Sequence, residues 1–396
     1  MADVLLLRGW QQPPYDATFS SLHDRGVGGT ELQLLLHAHA LLDEGHRVTV
    51  VGMSRQDLRE DGVDFLAVRT ATQVCETLKS IDIIFTNVTT ELAALRMRWP
   101  RSTIVQVCQN GPDLKARSII DVYAFVGDGQ LASFAAKYRR YRHKFVLLPN
   151  AVPIESIYRQ VALSESSSTP MTRQVTWVGG LTKQGLRRWG KAMEKAMEEF
   201  PDLNWLICSP AYSVQREGML PPALLGLNLP IERLSFRNLP LRELAKEIIR
   251  SEAVLVSLGG EDGPVSYLDG HALGVPVLSG DDIVGFYWNP SCAGIRCSTA
   301  GQCHRALTTV LSRPDVGRVM GASGQRWSEA GFGEARQRAY LNALVATHVL
   351  RHDFGVEGHR SVQSDRKESV RYYWDRLQAK LRFAVVGRFR QRLRAR

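Results

Sequence analysis

The 396-residue sequence has no CxxC pair among its six cysteines and no stretch approaching 18 consecutive apolar residues. The first absence argues against zinc-ribbon and dithiol chemistry. The scattered Cys75, Cys108, Cys208, Cys292, Cys297 and Cys303 predict a reduced, cytoplasmic protein. Cys292, Cys297, Cys303 and His304 are neighbours in sequence but match no common zinc spacing, so no metal site is expected. The second absence predicts no membrane-crossing helix, and MADVLLLRGW, with four apolar residues before Arg8, does not read as a signal peptide. Low-complexity tracts and short internal repeats are also lacking.

What is present is ordinary for a globular protein: 44% apolar and 23% charged residues. A chain of this length predicts two domains. The net charge of +10 invites phosphate-bearing partners, but its distribution is uneven. Of 50 Lys+Arg and 40 Asp+Glu, 11 and 3 fall in residues 365–396, leaving 39 and 37 in the preceding 364. A near-neutral body therefore carries a tail of net +8.

Short β-rich runs alternate with helical segments, which predicts βαβ units and parallel sheets. Expected strands are Val4–Leu7, His46–Val51, Ile81–Asn87, Ser102–Cys108, Val122–Val126 and Lys144–Leu148. A polar, Ser-rich stretch at 155–172 reads as a linker. The alternation then resumes with strands at Gln174–Val178, Asn204–Cys208, Leu234–Phe236, Ala253–Leu258 and Pro276–Leu278. Helices are expected at Gly185–Glu199, Leu241–Arg250 and Val265–Leu273. The expected organisation is an N-terminal Rossmann-like domain (1–154), the linker (155–172), a C-terminal Rossmann-like domain (173–345) and a basic helical tail (346–396). Two such halves place a cleft between them.

Two stretches carry the chemistry. Gly26-Val-Gly28-Gly29-Thr30-Glu31 opens a helical run, Leu32–Leu42, so its backbone N–H groups and the positive helix end suit phosphate or sugar hydroxyls. It lacks G-x-G-x-x-G spacing, so a nicotinamide site is weakly supported, and a plain Gly-rich turn remains an alternative. His37 and His39 are two apart on that helix, point to different faces, and read as structural or solvent-facing. In the second half, Glu261-Asp-Gly-Pro-Val-Ser-Tyr-Leu-Asp269 follows an apolar strand and runs into a helix beginning near Pro264–Val265. Proline suits the first helical turn, and carboxylates suit sugar and ribose hydroxyls.

This stretch resembles the E-x7-E signature of retaining GT-B glycosyltransferases of the family 4 type, with Asp269 in place of the second Glu. Other positions agree in order. Gly28-Gly29-Thr30-Glu31 resembles the family's N-terminal G-G loop, and Leu41 to Val50 its L-x-x-x-G-H-x-V-x-V continuation. Leu148-Pro-Asn-Ala-Val152 resembles I-P-N-G-V, and Trp177-Val-Gly-Gly-Leu-Thr-Lys183 resembles F-V-G-R-L…K.

The resemblance implies a GT-B fold, with two Rossmann-like domains facing across a cleft, and a C-terminal helical extension. It implies transfer of a hexosyl or pentosyl group from a nucleotide-sugar to an acceptor hydroxyl with retention. It calls for no essential metal and no cofactor beyond that co-substrate, in keeping with the lack of a D-x-D sequence. By resemblance Glu261 contacts the donor sugar and Asp269 the ribose hydroxyls. Gly28 and Gly29 join the donor site, and amides near Gly263, Pro264, Val265 and Ser266 hold the phosphates. The family's Arg position is Gly180 here, so Lys183 is the expected phosphate cation, with Arg187 or Arg188 as substitutes. No residue matches the family's N-domain His; Gln109 or Asn110 stands in that region, and Asn110 is taken as the candidate. These departures keep a non-catalytic GT-B binding protein and a nucleotide-sugar epimerase open as alternatives.

Beyond about Arg351 the resemblance fades. Val370, Trp374, Leu377, Leu381 and Ala384 recur at three- and four-residue steps beside arginines. The tail reads as an amphipathic helix for an anionic surface, as a nucleic-acid contact, or as a helix packed on the body. Peripheral attachment to a membrane is one consequence of the first reading. The acceptor (glycan, protein, lipid or modified nucleic acid) is not specified by any motif.

Overall fold

A computed structural model of the chain describes residues 1–10, 16–24, 26–109, 111–165, 173–179, 183–209, 224, 226–256, 265–280 and 293–353, with the side chains of 23, 183, 184, 187, 188 and 348–353 left aside. The tail's apolar stripe lies outside the described residues.

The N-terminal half runs β1 (Asp3–Leu7), α1 (Ser21–Asp24), α2 (Gly29–Asp43), β2 (Arg47–Val51), β3 (Leu58–Glu60), β4 (Val63–Leu66), α3 (Ala71–Thr77), β5 (Ile83–Thr86), α4 (Leu92–Arg98), β6 (Thr103–Cys108), β7 (Val122–Phe125), α5 (Asp128–Lys137) and β8 (Phe145–Leu147). Its eight strands lie in the order β3-β4-β2-β1-β5-β6-β7-β8. All neighbours pair in parallel except β3 and β4. Strands β5, β6 and β7 are buried throughout, as continuous apolar runs covered on both faces should be. The β3–β4 hairpin turns on Asp61-Gly62, both with positive φ.

The chain then crosses over. A π-helical turn (Ile154–Tyr158) leads directly into α6 (Arg159–Glu165), so the stretch read as a linker is helical over its first part. The reason is an apolar face hidden among polar letters: Ile154, Tyr158 and Val161, at steps of four and three, are all buried.

The C-terminal half runs β9 (Gln174–Val178), α7 (Lys183–Glu199), β10 (Asn204–Cys208), β11 (Leu234–Arg237), α8 (Leu241–Ile249), β12 (Ala253–Val256), α9 (Val265–Ala272), β13 (Val277–Gly280), β14 (Gly294–Cys297), α10 (Ala300–Ser312), α11 (Pro314–Phe332) and α12 (Glu334–Asp353). Its six strands are all parallel, in the order β11-β10-β9-β12-β13-β14. Cys297 and Cys303 pack in the apolar core of this half, while His304 faces Glu199 at 2.8 Å.

A second crossing occurs where α11 meets α12. The Val152 N–H donates to the Phe332 carbonyl at 2.9 Å, and Leu341, Leu344 and Val345 of α12 join the N-terminal core. At the junction Gln33 of α2 donates to the Ala151 carbonyl at 2.7 Å and accepts from the Ala151 N–H at 2.8 Å. Gln337 of α12 adds a bond to the same Gln33 oxygen at 3.2 Å. A buried amide network thus ties α2, the first crossing and α12 together. Helix α12 spans the expected boundary at 345/346.

Candidate functional site

In parallel α/β sheets, ligands collect beyond the carboxyl ends of the strands. At the end of β1, Arg8 pairs with Glu31 in the first turn of α2 at 2.8 Å. That pair sets the glycine loop over the strand edge. Gly28 takes the N-cap position without a side-chain cap, leaving the first helical N–H groups without a capping side chain. Beside it, the Thr30 hydroxyl donates to Gln109 Oε1 at 2.6 Å, and Gln130 Nε2 donates to the Gln109 carbonyl at 3.1 Å. Gln109 thus serves as a bridge between the glycine loop and α5 at the end of β6.

The C-terminal half meets this loop directly. A side-chain carbon placed on Gly29 would lie 3.3 Å from Val265 Cγ2, and one on Gly26 would lie 2.8 Å from the Leu239 carbonyl. Gly28, Gly29 and Val265 are therefore brought to one seam between the halves, with Val265 at the first turn of α9. The Val265 side chain is buried in apolar contacts, so only its backbone is suited to a phosphate, and Ser266 is half-buried next to it.

Asp269 lies farther along α9 and is buried. Its Oδ1 accepts a hydrogen bond from the Tyr158 hydroxyl at 2.7 Å. Burial pushes its carboxyl up to about 7, and the Tyr158 bond opposes that shift only in part. Tyr158, enclosed and facing an acid, keeps its proton well above the ordinary tyrosine range. Nothing in the Ser-rich sequence marks Tyr158 as part of a site. The three- and four-residue spacing with Ile154 and Val161 was the available signal.

Two more carboxyls stand at the crossing. Glu334 accepts from the Glu155 N–H at 2.7 Å, the Ser156 N–H at 3.1 Å and the Ser156 hydroxyl, while Glu155 accepts from the Glu334 N–H at 3.2 Å. Each acid thus serves the backbone N–H groups that open the other's helix. Burial raises Glu334 to about 7, whereas the hydrogen bond with Glu334 lowers Glu155.

His37 and His271 have no hydrogen-bond partner among the described residues, and burial lowers them to about 4 and about 3. His39, on another face of α2, rests against the Phe19 ring at 4.0 Å. Glu261, Gly263, Pro264 and Asn110 lie outside the described residues, as do Gly180, Cys292 and the side chain of Lys183, whose backbone opens α7. Among the described residues no group of three His, Cys, Asp or Glu side chains is placed to hold a metal ion.

No protein-family model matches the chain, and no curated protein matches it in sequence. Solved structures do match in fold. Sucrose-phosphate synthase from Thermosynechococcus elongatus shares 15% identity at a TM-score of 0.64, covering 88% of this chain and 99% of that one. The α,α-trehalose 6-phosphate synthase from Burkholderia multivorans shares 13% at 0.64, covering 91% and 100%. Anabaena HepE in complex with UDP-glucose shares 11% at 0.63, covering 88% and 100%. The fold is GT-B: two Rossmann-like halves facing across a cleft.

Proposed function

We propose that this protein is a glycosyltransferase that moves a sugar from a nucleotide-sugar donor to an acceptor hydroxyl with retention of anomeric configuration. The observation that carries the reading is the seam: the Gly28–Gly29 loop of one half lies against the first turn of α9 in the other, with Asp269 deeper on that helix. The fold shared with sucrose-phosphate synthase, trehalose 6-phosphate synthase and UDP-glucose-bound HepE supports the same reading.

In this reading the backbone N–H groups of Gly263, Val265 and Ser266, around Pro264, bind the departing diphosphate, and Lys183, or Arg187 or Arg188, neutralises it. Charge develops there in the transition state, so fixed donors and cations act most strongly on it. Glu261 holds the donor sugar, Asp269 the ribose, and Asn110 or its neighbour Gln109 lines the reacting face. Gly28 and Gly29 allow close backbone approach. The reaction needs no metal, and the nucleotide-sugar is the sole co-substrate. We place the protein in the cytoplasm, with the basic tail as the contact for an anionic surface or nucleic acid. No described helix is long and apolar enough to cross a membrane.

The test is a panel of UDP-, GDP- and ADP-sugars, starting from UDP-glucose, assayed for slow hydrolysis with and without EDTA. One donor should turn over, and Glu261→Ala should abolish that turnover. Neither binding nor turnover across the panel would sink the enzyme reading. Binding without turnover on any acceptor would favour a non-catalytic protein. The anomeric configuration of a transferred product, read by NMR, decides retention.

A further inference from the structure

Asp269 is one methylene shorter than the Glu that its position resembles, and its carboxyl is buried with a single hydrogen bond among the described residues. A carboxylate accepts several hydrogen bonds, and a buried one that receives too few is costly. Burial raises this carboxyl to about 7, with the Tyr158 bond opposing the shift. Among the described residues no cation bonds to this carboxyl, so its second oxygen is suited to neutral, compact donors. Vicinal hydroxyls of a sugar ring fit that demand.

The single partner it does have comes from another part of the fold. Tyr158 ends the π-helical turn on which the chain first crosses between the halves. That turn is fixed at its start by the Glu334 carboxylate, which takes the Glu155 and Ser156 N–H groups. Ile154, Tyr158 and Val161 pack in one apolar cluster with Val265, Tyr267, Leu268 and Ala272 of α9. Single π-turns within helices often mark functional positions, because the extra residue re-aims a side chain. Here it aims a phenol that keeps its proton, and hence its donor role, at an acid on the donor-side helix.

We propose that Tyr158 is a positioning residue of the donor site: its hydroxyl holds Asp269 Oδ1 so that the other carboxylate oxygen is presented to the ribose hydroxyls of the nucleotide. This rests on the proposed function, in which Asp269 contacts the ribose. It adds that the crossing segment, not α9 alone, sets how the ribose is read.

The experiment is calorimetric binding of UDP, GDP and ADP to the full chain, then of the tightest of these as its 2′,3′-dideoxy analogue. In the parent protein, removing the ribose hydroxyls should weaken binding about tenfold or more, the range for hydrogen bonds to a charged group. Tyr158→Phe keeps the ring and its packing, and Asp269 can take up a proton, so the fold persists. The variant should bind the ribonucleotide several-fold more weakly and lose most of the ribo-over-dideoxy preference. Asp269→Asn should lose the preference too, and adding Tyr158→Phe to it should change the preference no further. A Tyr158→Phe protein with a lowered Tm but the parent's preference would make Tyr158 merely structural and overturn the proposal. A parent that binds nucleotides without preferring the ribose would also overturn it while leaving the proposed function standing. A parent that binds no nucleoside diphosphate would end both.

Discussion

On the N-terminal side of the seam, buried and half-buried polar groups satisfy one another: Arg8 with Glu31, Thr30 with Gln109, Gln109 with Gln130. On the C-terminal side, α9 buries seven of its eight residues; of its titratable Asp269 and His271, Asp269 has one hydrogen bond, from Tyr158, and His271 has none among the described residues. The first arrangement is held by its own hydrogen bonds between side chains distant in sequence. The second is held from outside by packing. Gly270 lies against Val277 and Val254, Gly324 of α11 against His271, and Gly321 of α11 against the Gly274 carbonyl. A helix carrying under-bonded polar groups needs such a tight setting, because packing has to offset what hydrogen bonding does not supply.

The most direct way to break that contrast is to loosen the setting of α9. A methyl group on Gly321 would fall 1.9 Å from the Gly274 backbone oxygen, which no rotamer can relieve. Gly321→Ala should therefore cost about 3 kcal/mol by chemical denaturation, the upper range for overpacking. Gly331, on the same helix with nothing within 4 Å of such a methyl, is the control. Gly331→Ala should gain about 0.5–1 kcal/mol from helix propensity. Equal effects at the two positions would remove the claim that α11 clamps α9.

The second test is electrostatic. The Asp269 carboxyl is raised from 3.8 to about 7, so the folded state binds more protons than the unfolded state between those values. Stability contributed by this group is greatest below about pH 4 and is lost as pH rises towards 7. His37 and His271 act in the opposite sense: each is neutral when folded and protonates on unfolding below about 6.5, so their share of stability grows as pH rises to that value. Asp269→Asn keeps an acceptor for Tyr158 and removes only the first effect. It should be about 3 kcal/mol more stable than the parent at pH 8, and within about 1 kcal/mol at pH 4. A parallel offset at both pH values would mean that burial does not hold the proton on Asp269.

Much of the frame was legible because it is written locally. The apolar runs at Ile83–Thr86, Thr103–Cys108 and Val122–Phe125 can only be strands covered on both faces, and Gln174–Val178 and Asn204–Cys208 fall where their pattern places them. The β3–β4 hairpin went unread although Asp61-Gly62 is a strong turn signal, because its strands are three and four residues long and half polar. Strand β14, Gly294–Cys297, is similarly short and only half-buried, an edge strand without an apolar signature. At the site, Gly28, Gly29 and Val265 were readable from motifs, and the structure brings them together. Tyr158 was not, because its role depends on a partner 111 residues away. The Gln33–Ala151–Gln337 network was hidden for the same reason.

That network gives the third test, at the base of the seam. Gln33→Leu strands a buried backbone N–H and carbonyl of Ala151, and should cost about 1–3 kcal/mol. Gln337→Leu removes one longer bond and should cost about 0.5–1 kcal/mol. The double variant should cost less than the sum, since both act through the same Gln33 oxygen. Strict additivity would place the two glutamines in separate networks.

The smallest effect is expected at Thr30, and it sharpens the comparison most, because it separates the two sides by function. Thr30→Val removes one half-exposed hydrogen bond to Gln109 and should cost only about 0.5–1.5 kcal/mol. In the proposed function Gln109 borders the reacting face while Gly28 and Gly29 meet the donor through their backbone, so the freed Gln109 disturbs acceptor placement. KM for the acceptor should then rise severalfold while the affinity for nucleoside diphosphate stays at the parent's value. Tyr158→Phe should do the reverse, weakening the nucleotide and leaving the acceptor KM unmoved. A Thr30→Val protein that loses nucleotide affinity instead would show that Gln109 acts on the donor through the glycine loop and does not line the acceptor's approach.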